Sequence, residues 1–259
     1  TSTLEYFRAS GSVNQNMRFN SSIWEYVGPA GGCNEFIVRG RYTVTLSDTT
    51  NSVTQTISGV LNEDKCIPFI TGIINYDGGN GADSSTSVAY LENATTLRVQ
   101  KGTNSNNVTV YITLVEFTGS NWTVLHGDSG NTNGDSGTIT LRDGSDGSGA
   151  ATSVSDWSDS IIFSHFRADT AASGTNEAIE DLWPIIEPGV NNNEVDWTFQ
   201  GTGHGSNGTN RHFVHVLSNP FLNVNRIQDN SNTAGETNLP ITPALTSVNE
   251  AFIVGSSVS

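Results

Sequence analysis

The chain of 259 residues is long enough for two domains, and it carries 11 Lys and Arg against 26 Asp and Glu, a net charge of −15. A surface of that sign repels nucleic-acid phosphates and anionic lipid, so we expect neither as a partner. No apolar run reaches the roughly eighteen residues of a membrane span, so no membrane insertion is predicted.

Short apolar segments, either β-branched or alternating with polar residues, stand between Gly, Asn, Asp and Ser clusters and predict an all-β fold. One short helix is predicted at 174–183, where Asn176 can cap a turn before Pro184 ends it. The predicted strands, in chain order, cover 19–26, 35–46, 53–61, 66–76, 86–91, 95–100, 108–117, 122–126, 137–142, 160–167, 194–200, 212–218 and 251–258.

The stretch "VTVYITLVEFTGSNWTV" (108–124) predicts a β-hairpin with a turn at 118–121. Alternate residues of its first strand point to opposite faces of a sheet. One face carries Val108, Val110, Ile112 and Leu114, and the other carries Thr109, Tyr111, Thr113, Val115 and Phe117. Because both faces carry bulky side chains, we expect this strand to be central in its sheet.

Segments of the first half recur in the second half in the same order. Residues 95–114 align with 195–217, so that Leu97 matches Trp197 and Val99 matches Phe199. Residues 61–79 align with 154–174, each with a short acidic segment before an apolar strand, and this opening appears a third time at 246–259. We therefore predict tandem antiparallel β-sandwich units.

The predicted units are 1–130 with an N-terminal extension, a Gly/Ser/Asp-rich connection at 131–153, and 154–259. The strand near the end of the second unit lacks partners in the pattern. Three alternatives are open: the protein continues, the tail folds back, or the strand joins the sheet of a neighbouring subunit. In the third case Phe252, Ile253 and Val254 are the predicted subunit contact.

A calcium site is one interpretation of "DSGNTNGDSG" (128–137), the other being a solvated linker. Its candidate ligands share hard oxygen donors grouped around Gly134, although their spacing misses that of an EF-hand. They are Asp128, Asn131, Asn133 and Asp135. No other cofactor is predicted.

The five histidines do not predict a transition-metal site. His212 and His215 are three apart on a predicted strand and therefore point to opposite faces, while His126, His165 and His204 lie elsewhere in the sequence. "HGDSG" (126–130) contains His, Asp and Ser, but no Gly-x-Ser-x-Gly nucleophile turn is present. We predict that the protein is not an enzyme.

Trp157 and Trp183 lie outside the strand patterns and are the candidates for stacking on a sugar ring. Trp122 and Trp197 fall within strand patterns and are expected in the core. Cys33 and Cys66 could form one disulfide in an oxidising compartment, or remain two buried thiols.

Residues 53–126, and more loosely 154–228, resemble a short β-sandwich repeat of uncharacterised marine tailed-phage proteins and some secreted bacterial proteins. The elements that carry the resemblance are the acidic lead-in at Glu63 to Lys65, and Val115 to Phe117 followed by Gly119. The strand pattern also resembles the H-type lectin sandwich, whose members bind sugars such as N-acetylgalactosamine. The resemblance implies jelly-roll or H-type-lectin-like units.

Solubility depends mostly on uncharged polar residues, which is typical of virion, secreted or cell-surface proteins. We therefore expect a structural or adhesive component of a virion: a tail, fibre or capsid decoration. One alternative is a subunit of an extracellular bacterial or archaeal filament joined by its C-terminal strand. A second is a lectin-like module. The expected partners are copies of itself, other virion or filament proteins, or surface glycans.

Overall fold

A computed structural model describes residues 23–75, 86–102, 107–168, 184–199, 210–224 and 226. These residues contain no α-helix, and none of their helical turns could cross a membrane. The fold is all-β, as predicted. The strands are β1 Ile37–Leu46, β2 Ser52–Thr56, β3 Cys66–Asn75, β4 Ser87–Asn93, β5 Thr96–Lys101, β6 Val108–Glu116, β7 Thr123–Asp128, β8 Ser136–Thr140, β9 Ser160–Arg167, β10 Pro184–Pro188, β11 Glu194–Phe199 and β12 Arg211–Ser218.

Strand β6 is central, as its two bulky faces predicted. It pairs antiparallel with β1 on one side and β3 on the other. Strand β5 in turn pairs with β2 and β4 to form a second sheet. The core between the two sheets contains Val44, Leu46, Ala89, Leu91, Leu97, Val99, Val108, Val110, Ile112 and Leu114. Strands β1 to β6 therefore make one β-sandwich, here called repeat 1.

Strands β7 to β12 form a second sandwich, repeat 2, with the same connectivity. The sheet orders β1-β6-β3 and β2-β5-β4 correspond to β7-β12-β9 and β8-β11-β10. Trp197 and Phe199 lie in the core of repeat 2 as Leu97 and Val99 lie in that of repeat 1. The internal repetition is therefore present in the topology.

The acidic segments before β3 and β9 have the same local structure. Each forms a 3₁₀ turn, Glu63–Lys65 or Trp157–Asp159. The side chain of Asn62 accepts a hydrogen bond from the backbone N–H of Asp64, and that of Asp156 accepts one from Ser158. The sequence match at these positions therefore reflects a shared cap at the start of an apolar strand.

The two repeats share one sheet. Its order is β2-β5-β4-β9-β12-β7, so half of its strands come from each repeat. Strand β7 lies before residue 130 and β8 lies in the predicted 131–153 connection, yet both belong to the sheets of repeat 2. By topology, repeat 2 therefore begins at Thr123.

The strand predicted at 53–61 ends at Thr56, and two further local predictions are wrong. Residues 23–26 are not a strand: Trp24 packs beside Phe36 and Phe163, which anchors this segment without a backbone ladder. Strand β10 was missed because it has proline at both ends, Pro184 and Pro188. Among the described residues it pairs only with β11, and an edge strand tolerates proline. The predicted helix at 174–183 and strand at 251–258 lie outside the described residues.

Candidate functional site

The most distinctive region of the described structure is the joint between the repeats. At its centre β4 and β9 meet at the bridge between Ser87 and Phe166. The Ala168 N–H also donates a 2.9 Å hydrogen bond to the Thr86 hydroxyl. These contacts continue the sheet of repeat 1 into that of repeat 2.

Strand β12 separates the joint from the core of repeat 2, because its side chains alternate between the two. Val214 and Val216 face the core of repeat 2. Phe213, His215 and Leu217 point the other way and are fully buried. In a single sandwich that outer face would meet solvent, but here repeat 1 covers it.

Three contacts along β12 show how repeat 1 covers this face. At one end, Phe213 stacks on Tyr90 of β4 with ring centroids 4.9 Å apart and planes 5° apart. At the other end, Leu217 joins an apolar cluster that both repeats supply. Across that cluster Phe69 of β3 meets Phe163 of β9 edge to face, with centroids 5.0 Å apart. Apolar packing therefore flanks the centre of the joint on both sides.

Arg211 closes the rim of the joint. Its guanidinium forms a bidentate pair with Asp128 of β7, with N–O distances of 2.8 and 2.6 Å. The same group reaches repeat 1, where it donates to the Gln100 side chain at 2.6 Å and lies over the Tyr90 ring at 5.0 Å. Arg211 therefore ties three strands across the boundary.

Between the aromatic contacts lie three histidines, His126 of β7, His165 of β9 and His215 of β12, here called the histidine cluster. The His126 and His215 rings are 5.1 Å apart, and the His165 and His215 rings 5.3 Å apart. The Nδ1 atoms of His126 and His215 are 2.9 Å apart, a hydrogen-bond distance. The sequence did not predict this cluster, which arises only because β12 lies between β7 and β9.

Neighbouring groups determine where the protons of the cluster reside. The Nε2 atom of His126 lies 3.1 Å from the carbonyl oxygen of Asp64, so it carries a proton and donates. The Nδ1 atom of His126 then accepts the Nδ1–H of His215. His215 consequently keeps its buried Nε2 unprotonated, and the backbone of Ala89 interacts with the rings of His165 and His215.

Burial holds these imidazoles neutral. It lowers the pKa of His126 to about 4 and that of His165 to about 4, from an ordinary 6.5. Burial also lowers the pKa of His215 well below 6.5, and repulsion from His126 and His165 adds to the effect. At neutral pH the cluster is therefore an uncharged, hydrogen-bonded part of the joint.

His212 lies on the other side of β12, as the sequence predicted from its spacing to His215. It stacks on Trp197, with ring centroids 4.1 Å apart, inside repeat 2. Burial lowers its pKa to about 3. The described residues include no group of three or more His, Cys, Asp or Glu side chains suited to a metal ion.

The candidate calcium loop contributes to the joint. Asp128 accepts both hydrogen bonds from Arg211, and the side-chain oxygen of Asn131 accepts one from Arg167 at 2.6 Å. Two of the four candidate ligands are therefore engaged by guanidinium groups. The geometry gives calcium binding at Asp128, Asn131, Asn133 and Asp135 no support.

We expect calcium to leave the thermal unfolding temperature unchanged, because binding would have to displace Arg211 and Arg167 from these oxygens. Differential scanning calorimetry with millimolar calcium and with a chelator measures this directly, with magnesium as the control. A calcium-specific rise in the unfolding temperature that Asp135→Asn abolishes would contradict this expectation.

The remaining candidates are distributed over several parts of the fold. Trp157 packs against the core of repeat 2, and Arg226 lies 5.6 Å over its ring, which leaves it a poor platform for a sugar. Cys33 is an exposed free thiol and Cys66 a buried one, so the structure contains no disulfide between them. Trp183, Phe252, Ile253 and Val254 lie outside the described residues.

Comparison with known proteins does not identify this fold or its joint. A scan of protein-family models, a search of curated proteins and a search of solved structures each gave no match. The resemblance to a tailed-phage repeat therefore stays a prediction. The function has to be argued from the joint itself.

Proposed function

We propose that the chain is a non-enzymatic structural component of a virion, as a tail, fibre or capsid decoration. The observation that carries the proposal is the joint, where one repeat covers the sheet face of the next through β4, β9 and β12. Arrays of this kind extend by stacking units, and they create elongated, stiff bodies suited to building and display. The net charge of −15 and the phage-type sequence resemblance also support an extracellular setting.

A second candidate is a filament subunit that donates its C-terminal strand to a neighbour. The observation that favours it is the edge position of β10, which among the described residues pairs only with β11. A strand edge of this kind can accept a strand from another chain. Residues 246–259 would be the donor.

Light scattering on the purified chain tests both candidates. We expect the full chain to form assemblies well above its monomer mass of 27.6 kDa. If deletion of 246–259 returns it to a folded monomer, strand donation joins the subunits. If the assembly persists after the deletion, the contacts lie in the repeats themselves, as a stacked virion component requires.

A monomer at all concentrations in both forms would contradict self-assembly. Circular dichroism of the truncated chain is the necessary control, because loss of the β-sheet signal would mean that the deletion acts on folding. A variant with the three apolar residues of the tail changed to serine (F252S/I253S/V254S) keeps the chain length constant and separates apolar contact from length.

A further inference from the structure

Protonation of the histidine cluster is unfavourable while the joint is closed. In the neutral pair one ring donates and the other accepts, so the 2.9 Å contact between the two Nδ1 atoms uses a single proton. One added proton would put an imidazolium in a fully buried site. Two added protons would place two N–H groups against each other at His126 and His215. Each protonation therefore works against the closed joint.

No carboxylate among the described residues offsets that charge by a direct bond. Within the described residues, the hydrogen-bond partner of His126 outside the cluster is the carbonyl of Asp64, and the field of Asp146 only partly favours the charged ring. The backbone of Ala89 acts in the same direction on His165 and His215. The other charged and titratable groups on the described surrounding elements are Glu63, Lys65, Tyr90, Glu92, Asp128, Arg142, Asp143, Arg167, Arg211 and His212.

Most of these groups are engaged elsewhere. Asp128 is paired with Arg211, and Arg167 donates to Asn131. The Asp64 carboxylate accepts the backbone N–H of Ser145, and it is the Asp64 carbonyl that contacts the His126 ring. The carboxylates of Asp64 and Asp128 would therefore have to leave their present partners to bond an imidazolium.

The two sandwiches do not depend on the joint for their cores. The core of repeat 1 is built entirely from residues before 115, and the core of repeat 2 entirely from residues after 124. Among the apolar clusters of the described residues, those around Leu217 and around the Tyr90–Phe213 contact draw residues from both repeats, and polar contacts such as those of Arg211 and Ser145 add to them. The direct covalent connection between the repeats is the turn from Phe117 to Trp122.

We propose that the joint is an acid-sensitive clasp, which opens when His126, His165 and His215 take up protons while both sandwiches stay folded. Opening moves the three rings into water, where each can carry a proton. This inference goes beyond the structural role proposed above and holds for any assembly the chain serves. Its consequence is a particle or fibre subunit that changes shape on entering an acidic compartment.

The direction of the pH effect follows from the lowered pKa values. Below an ordinary pKa of 6.5 the open form binds more protons than the closed form, so falling pH favours opening. The ratio of open to closed forms keeps rising as the pH falls to about 4, where His126 and His165 also take up protons in the closed form. With three rings involved, the ratio of open to closed forms rises by up to about a thousandfold per pH unit inside this window.

Small-angle X-ray scattering of the full chain, recorded with circular dichroism between pH 8 and pH 4, tests the clasp. We expect the radius of gyration to rise in that window while the β-sheet signal is kept. A variant with glutamine at all three positions (H126Q/H165Q/H215Q) should show the same size at pH 8 and pH 4. His165→Gln alone should reduce the pH dependence by about tenfold per unit, because one proton is lost.

His212→Val is the matched control, since valine stands at the equivalent position 108 of repeat 1 and the His212 ring stacks on Trp197 inside repeat 2. The radius of gyration of this variant should rise between pH 8 and pH 4 as that of the parent chain does. An unchanged radius down to pH 4, expansion together with loss of β-sheet signal, or expansion of the triple variant would each overturn the clasp. If the triple variant does not fold, NMR titration of the histidines in the parent chain replaces it. Midpoints between pH 6.5 and pH 4 that coincide with the rise in radius support the clasp, and titration at any pH without that rise rejects it.

Discussion

Replacing Glu116 with alanine is expected to lower the free energy of unfolding by about 3–5 kcal/mol, the range for breaking a buried ion pair. The Glu116 side chain is 2% exposed and lies 2.7 Å from Nε of Arg39. Its carboxylate also accepts the backbone N–H groups of Leu61 and Asn62 at 3.1 and 2.9 Å. Removing it leaves Arg39 without its partner and two backbone donors unsatisfied in a half-buried site.

Glu92→Ala is the matched control, because Glu92 also pairs with an arginine, Arg98, but at a partly exposed site. We expect this substitution to lower the free energy of unfolding by at most about 1 kcal/mol. Urea unfolding monitored by tryptophan fluorescence measures both variants. Equal losses in the two variants would mean that the burial of Glu116 contributes nothing.

The sequence predicted the strand that carries Glu116 but not the hydrogen-bond partners of its carboxylate. The run from Val115 to Phe117 was recognisable as a signature, and its alternation placed Val115 and Phe117 on the same face of β6. The partners of Glu116 are 54 to 77 residues away along the chain. A local pattern indicates a strand, but it does not indicate which distant donors will surround a carboxylate.

The fold class and the repetition were predictable because they depend on local alternation. Strand β9 begins and ends where its apolar pattern predicted, and β6, β11 and β12 differ by one residue at an end. The failures came from long-range effects. Strand β10 contains Pro184 and Pro188 and forms only because β11 supplies its ladder, while 23–26 stays irregular because Trp24 is held by Phe36 and Phe163.

The joint was not predictable for the same reason. His126, His165 and His215 lie on three strands that become neighbours only when repeat 2 closes around β12. A partial signal was present: β12 carries Phe213 and Leu217 on the face opposite Val214 and Val216, which indicates burial on both sides. That signal indicates that the outer face of β12 is covered. It does not indicate that repeat 1 covers it, because this depends on the pairing of β4 with β9.

Phe213→Ala should be the most damaging single substitution within the joint, lowering the free energy of unfolding by about 3–5 kcal/mol. Its side chain is fully buried, stacks on Tyr90 and lies 5.1 Å from the His215 ring. Alanine would leave a cavity between β12 and the Tyr90 ring of repeat 1. Because Arg211 also lies over the Tyr90 ring, the loss should extend to the rim of the joint.

Phe221→Ala is the control, since that ring is 77% exposed and its removal should change stability by no more than about 0.5 kcal/mol. Tyr90→Ala combined with Phe213→Ala completes a double-mutant cycle. If the contact between the two rings stabilises the joint, the loss of unfolding free energy in the double variant should be smaller than the sum of the two single losses. The expected difference is about 0.5–1.5 kcal/mol. Strict additivity would mean that each ring packs against its own repeat, and the stack would then contribute nothing to holding the repeats together.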